Sequence, residues 1–235
     1  MRYYGSAMRT PHVQGAFRQQ IVVEPAQAYR LAEGVSDAEG ALAEPLSVAL
    51  HAVRRAGSLL GKSVLVTGCG PIGALIVIAA RRAGATRILV TDVGAFPLRT
   101  AMKVGADETV NVAERADALA AYGADKGSFD VLFEASGNES ALRGAFEALR
   151  PRGIVVQVGL GGEMTLPVNF ITAKELELRG TFRFHEEFAQ ALEYMGRGLI
   201  DVKPLLSATL PFTQAREAFE LAGDRSRSMK VQLAF

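Results

Sequence analysis

Two apolar patterns alternate along the middle of the chain. Short, nearly continuous runs rich in β-branched residues occur at 63–67 (SVLVT), 87–92 (RILVTD), 108–112 (ETVNV), 129–135 (FDVLFEA), 153–159 (GIVVQVG) and 176–183 (LELRGTFR). The first five have almost no polar interior position, as strands covered on both faces require. Helical spacing predicts helices between them over 72–83, 98–104, 116–122 and 139–149. Such alternation predicts an α/β fold, a doubly wound parallel sheet (Rossmann type) with right-handed crossovers and helices on both faces. Before it, 17–24 (FRQQIVVE) reads as a strand, and RLAEGVSDAEGAL as loop and short helix. After it come a helix over 186–196, a loop through DVKPLLS, a helix over 213–222 and a last strand, MKVQLAF, expected to pair with a distant part of the chain.

Composition narrows the class. A chain of 235 residues, 49% hydrophobic and 22% charged, can bury one large domain, or one domain plus an appendage. With net charge +1 and no basic face, attraction to nucleic acid or to a membrane surface is not expected. Arg81 and Arg82 end the longest apolar run before it could span a bilayer, and MRYYGSAMRTPHVQG has no signal-peptide core. The single cysteine, Cys69, allows no internal disulfide, in keeping with a reducing, cytoplasmic setting, and excludes a multi-cysteine zinc cluster within the chain.

Candidate chemistry centres on VLVTGCGPIGALIVIAARRAG. Gly68, Gly70 and Gly73 form G-x-G-x-x-G after a buried strand and at the opening of a helix, the context in which the pattern binds a dinucleotide. The first glycine permits the turn, the second lets backbone approach a pyrophosphate, and the third lets helix and strand pack closely. Asp92 ends the next strand about 20 residues on, where a carboxylate holds ribose hydroxyls and repels a 2′-phosphate. NAD is therefore expected over NADP, with Arg99 as a nearby charge that could soften the distinction. Cys69 occupies a variable position and reads as a small filler.

In order, AEPLSVALHAVRRAG, GCGPIG, VTDV, VQVGLGGEM, RGTFRF and VKPLL resemble the zinc-dependent medium-chain dehydrogenases, in their polyol (sorbitol-type) branch. YGSAMRTPHVQGAFRQ, FRFHEEF and AGDRSRSMKVQLAF look more specifically like members acting on the sugar acid L-idonate. The resemblance covers nearly the whole chain. It implies hydride transfer between a sugar acid or polyol and NAD(P), assisted by zinc, in a homo-oligomer (dimer or tetramer) paired through the last strand of the sheet. It also implies site residues. Gly68, Gly70, Pro71, Ile72 and Gly73 would hold the pyrophosphate, and Asp92 the ribose. Ser136 and Gly137 would lie along the cofactor. Val158, Gly159, Leu160, Thr181, Phe182 and Arg183 would frame the nicotinamide, and Glu44 would sit at the catalytic zinc.

Two departures from the family pattern bear on function. Pro97 stands near the position of an arginine that stacks on the adenine. The GroES-like barrel, with its zinc-binding cysteine and His-Glu pair, and the four-cysteine lobe have no counterpart here. The chain is therefore expected to be the C-terminal two-thirds of such an enzyme. Residues 1–43 and 185–235 would be remnants of the catalytic domain flanking a nucleotide-binding domain over 44–184. A catalytic zinc needs three protein ligands and an open position, and the available donors are Glu44, His12, His51 and His185. His12 is a candidate substrate contact, His51 a packing histidine, and His185 a residue of the cleft or the surface. Arg183 is the candidate for a substrate carboxylate, with a salt bridge to Glu186 or Glu187 as its alternative. Three readings stay open: the dehydrogenase, a non-catalytic NAD-binding module, and a zinc-free reductase, against which Glu44 argues.

Overall fold

The computed structural model describes residues 3–6, 10–115 and 117–235. Six strands, β1 (Ser63–Thr67), β2 (Arg87–Asp92), β3 (Glu108–Asn111), β4 (Phe129–Glu134), β5 (Leu149–Gln157) and β6 (Glu177–Gly180), form one parallel sheet in the order β3-β2-β1-β4-β5-β6. Helices α1 (Asp37–Gly40), α2 (Ala43–Ala56), α3 (Pro71–Arg82), α4 (Ala95–Lys103), α5 (Glu139–Ala145), α6 (Val168–Ala173), α7 (Glu187–Gly196) and α8 (Ala215–Gly223) make up the helical part of the described residues. Strands β7 (Leu206–Pro211) and β8 (Lys230–Ala234) pair in parallel, joined through α8, and form a separate two-stranded sheet.

Alternation along the strands divides the core in two. Val64, Val66, Ile88, Val90, Val131 and Phe133 face a cluster completed by α2, α3, α4 and α7. Leu65, Leu89 and Leu132 face a smaller cluster with Leu142, Ala145 and Phe146. Helix α3 is buried from Gly73 to Ala80, between the sheet and α2. Its isoleucines and valine are mediocre helix formers. Burial, at roughly 1.5–3 kcal/mol for each large apolar side chain, outweighs a propensity deficit of about 0.5 kcal/mol each. Pro71 at the first helical position and Arg81 and Arg82 in the last turn suit the helix ends. Helix α2 presents Leu46, Ala49, Leu50 and Val53 to the core at helical spacing and stops at Gly57, φ 87°.

The pattern reading of the sequence needs correction at several elements. Residues 17–24 form no strand. Ile21, Val22 and Val23 are exposed, and no pairing covers them among the described residues. Of the helix expected over 116–122, Ala116 lies outside the described residues, and a 3-10 segment, Ala120–Lys126, stands near its end, broken by left-handed Asp125. The helix from Glu139 ends at Ala145 rather than 149, because Phe146, Ala148 and Leu149 are claimed by the second core and by β5, which starts at Leu149. Helix α4 begins three residues early and takes Pro97 into its first turn, where its missing N–H costs nothing. Strand β6 stops at Gly180, and after one more backbone bond, Thr181 N–H to Gln157 O at 3.2 Å, residues 182–183 leave the ladder. The stretch after Lys203 holds β7 where a loop was expected, so the last strand pairs with the strand just before it in sequence and not with a distant part of the chain.

Candidate functional site

Every expected cofactor residue lies at or just past the carboxyl end of a parallel strand, or at the start of the helix that follows it, along the edge where such sheets take ligands. Gly68–Gly73 follow β1 and open α3, and Asp92 ends β2. Ser136 and Gly137 follow β4, Val158–Leu160 follow β5, and Thr181–Arg183 follow β6. The reversal of strand order lies between β1 and β4.

The three glycines of the turn differ in what requires them. Gly68 has φ 85°, and a Cβ there would lie 2.8 Å from the Ser136 backbone. A Cβ on Gly73 would overlap the Gly68 carbonyl. Internal packing demands both. Gly70 has φ −68° and ψ −174°, open to any residue, and a Cβ there meets nothing within 4 Å. No contact within the fold requires a glycine at 70, and the space beside it is open. The Asp92 carboxylate accepts from the backbone N–H of Cys69 at 2.7 Å and of Gly94 at 2.9 Å, which locks it against the turn. Burial, with the Asp92 charge beside it, pushes the Cys69 thiol up to about 12, so the cysteine is filler and not a nucleophile. Arg99 is exposed and lies over the Phe96 ring, and Pro97 is buried.

Glu134 was missed in the sequence. It ends β4, is fully buried, and accepts from the N–H groups of Ser136 (2.8 Å) and Gly137 (3.0 Å) and from Gln157 Nε2 (2.7 Å). The Ser136 hydroxyl also donates to it. Gly159 and Gly161 let the loop after β5 press on the Gly137 backbone, where a Cβ on either would overlap it. An acid at the end of an apolar run was the available signal. At the next loop, the Thr181 hydroxyl oxygen is buried without a hydrogen-bond partner among the described residues. A polar atom left so is available to a ligand.

A second cluster stands beside the sheet edge. Arg183, left-handed at φ 56°, lies 4.2 Å from the centre of the Tyr3 ring and donates to Ser6 Oγ at 3.1 Å. Glu186 and Glu187 take Arg54 and His51 as partners. Glu44 is on the first turn of α2. The residue is exposed overall, yet protein around its carboxyl raises its pKa, with Lys230 and Arg183 opposing. Burial raises the Tyr3 hydroxyl, with Arg183 opposing and Glu44 and Glu187 adding. Tyr3, Glu44, Arg183 and Glu187 thus share one electrostatic neighbourhood. His12 is exposed on a loop held to Tyr3–Ser6 by Gly5 N–H to Gln14 O and Val13 N–H to Ser6 O. His185 is exposed, and its ring lies 5.2 Å from that of His51.

The profile of the zinc-binding dehydrogenases matches residues 71–197, more than half of the chain. The chain belongs to the zinc-binding dehydrogenase family. It is 44% identical to L-idonate 5-dehydrogenase (NAD(P)(+)) of Escherichia coli, over 100% of this chain and 68% of that protein. The crystal structure of the E. coli L-idonate 5-dehydrogenase superposes with a TM-score of 0.94, covering 100% of this chain and 67% of that one. Sorbitol dehydrogenase of sheep (Ovis aries) is 39% identical over 87% of this chain and 59% of its own length.

As a zinc-binding dehydrogenase the chain has the donor Glu44, but no group of three or more His, Cys, Asp or Glu side chains that could hold a metal occurs among the described residues. His51 faces Glu187, and His12 is tied to a different loop from His185. The donor set within the described residues does not fit a catalytic zinc. The dinucleotide fits, because Gly70 leaves open space at the turn and the buried Thr181 hydroxyl has no hydrogen-bond partner among the described residues.

The turn glycines offer one test of this geometry. Gly70→Ala should leave urea-unfolding stability unchanged or raised by up to about 1 kcal/mol, while NADH affinity falls at least about tenfold. Gly73→Ala should cost about 1–3 kcal/mol by overlap. Wild-type NADH affinity in Gly70→Ala would rule out the pyrophosphate at that turn. Glu187 supplies the second. Burial opposes its ionised form, but the His185 N–H and His51 outweigh it and hold its carboxyl down at about 2. A depressed pKa stabilises the fold above the unfolded value, and that stabilisation drains away as pH falls toward the folded one. Between pH 5 and pH 3, wild type should lose about 2 kcal/mol more stability than Glu187→Gln. Equal losses would show that Glu187 is not held ionised.

Proposed function

We propose that the chain binds NAD(P) and serves the reversible oxidation of a secondary alcohol in a sugar acid or polyol, with L-idonate and 5-keto-D-gluconate as the pair, a reading supported by the 44% identity to an L-idonate 5-dehydrogenase. The observation that carries this is Gly70, small for no internal reason, between two glycines that packing requires. Bound NAD(P) supplies the hydride acceptor. The free N–H groups at the start of α3 face the pyrophosphate. Asp92, fixed by two backbone N–H bonds, accepts from the adenosine ribose hydroxyls and favours NAD over NADP. The Thr181 hydroxyl and the backbone of Val158–Leu160 hold the nicotinamide end, with Phe182 beside them. Ser136 and Gly137, set by Glu134, line the floor between the two ends.

Arg183 is the group for the substrate. A guanidinium can take a sugar-acid carboxylate through two parallel hydrogen bonds, and Arg183 stands near Glu44 in the cluster beside the nicotinamide end. Glu44 and His12 complete the substrate side. On this reading residues 1–43 and 185–235 belong to a catalytic domain around a nucleotide domain of 44–184. Copies of the chain pair through the open edge of β6, and the protein works in the cytoplasm. No helix among the described residues is long and apolar enough to cross a membrane.

A second reading, a nucleotide-binding module without catalysis, is favoured by the lack of three clustered metal donors among the described residues. One titration separates the two. In the presence of NADH, wild type should bind L-idonate saturably by calorimetry, and Arg183→Ala should weaken that binding by about 10–100-fold, the worth of a charge-assisted pair. Sorbitol, which has no carboxylate, should lose far less. Unchanged idonate affinity in Arg183→Ala would remove the carboxylate role, and NADH binding with no idonate binding at all would leave the second reading.

A further inference from the structure

Glu187 opens α7 with a side chain only 1% exposed, and a buried carboxylate persists only with partners. Its partners come from two places. His51 Nδ1 at 2.9 Å and Arg54 Nη1 at 3.3 Å reach it from successive turns of α2. The backbone N–H of His185 donates to it at 2.8 Å. A carboxylate only accepts, so the bond assigns the proton to His51 Nδ1. One buried charge thus ties the turn after β6 to the helix that carries Glu44.

That turn needs tying. Arg183 sits in the left-handed region, disfavoured for a residue with a Cβ, and such conformations last where the surroundings over-determine them. From the other side the Tyr3 hydroxyl donates to the Phe184 carbonyl at 3.2 Å, and the Tyr3 ring meets Phe184 edge-on at 5.4 Å. Neither Glu187 nor His51 belongs to the set assigned above to cofactor or substrate.

We propose that Glu187, held by His51, is the positioning residue for the turn Thr181–Arg183 and through it sets the protein's grip on the nicotinamide end of the dinucleotide. This rests on the reading that the turn frames the nicotinamide. Helix–helix packing alone makes a different prediction, because it spreads any damage over the whole nucleotide site.

The test compares two ligands on the 235-residue chain. NADH and ADP-ribose share adenosine, pyrophosphate and second ribose, and only NADH carries nicotinamide. Both are titrated by calorimetry into wild type, Glu187→Gln, His51→Ala and His51→Gln. Wild type should prefer NADH. Glu187→Gln and His51→Ala should weaken NADH about tenfold and leave ADP-ribose within about twofold. His51→Gln keeps a side-chain N–H on a partly exposed residue and should recover most of the loss. Equal weakening of both ligands, or a preference for NADH that survives every variant, overturns the positioning role alone. A wild type that binds ADP-ribose as tightly as NADH overturns the framing role of the turn, and the proposal with it.

Discussion

The carboxylate of Glu134 is the constraint around which the binding edge is built. An ionised acid with no solvent exposure carries a desolvation penalty of several kcal/mol unless donors surround it. The chain supplies them from the ends of neighbouring elements: Ser136 and Gly137 just past β4, and Gln157 at the end of β5. Satisfying one charge therefore fixes two loops at once. The glycines at 159 and 161 are the steric corollary, since the loop after β5 must lie on the Gly137 backbone for that arrangement to close. The Gly68 turn then packs on Ser136, so it inherits its position from the same acid.

Glu187 repeats the device beside the sheet edge. There a buried acid joins α2 to the turn after β6, and Tyr3 closes that turn from the opposite side. Two buried carboxylates thus fix two parts of the sheet's carboxyl edge, Glu134 the loops after β4 and β5 and Glu187 the turn after β6. Hydrophobic burial supplies the stability of the sheet and its two cores, but it is non-directional. Hydrogen-bonded charge gives the loops their particular geometry.

Much of this was legible in the sequence where local rules decide. The strands β1 to β6 follow from apolar runs, and the glycine turn with Asp92 follows from spacing alone. The family resemblance placed Ser136, Val158 and Thr181 on loops that the structure lines up. Legibility failed where long-range competition decides. The IVV run at 21–23 has strand composition but no partner, so it stays exposed. Leu149 continues a helical pattern but is worth more in the second core, which shortens α5. The strand β7 reads as loop because its burial alternates weakly on a two-stranded sheet. Glu134 looked like the polar end of a strand, and Glu187 like one of several acids at a helix start. The partner that gives Glu187 its meaning, His51, lies 136 residues away in sequence.

On the function proposed above, the edge from Gly68 to Thr181 takes a dinucleotide in this chain of 235 residues. The most direct measurement is a fluorescence titration of the chain with NADH. Saturable binding is expected, with a dissociation constant below about 1 mM, inside the span usual for enzyme Michaelis constants. A signal that stays linear in NADH into the millimolar range, from protein shown to be folded by cooperative urea unfolding, would contradict it.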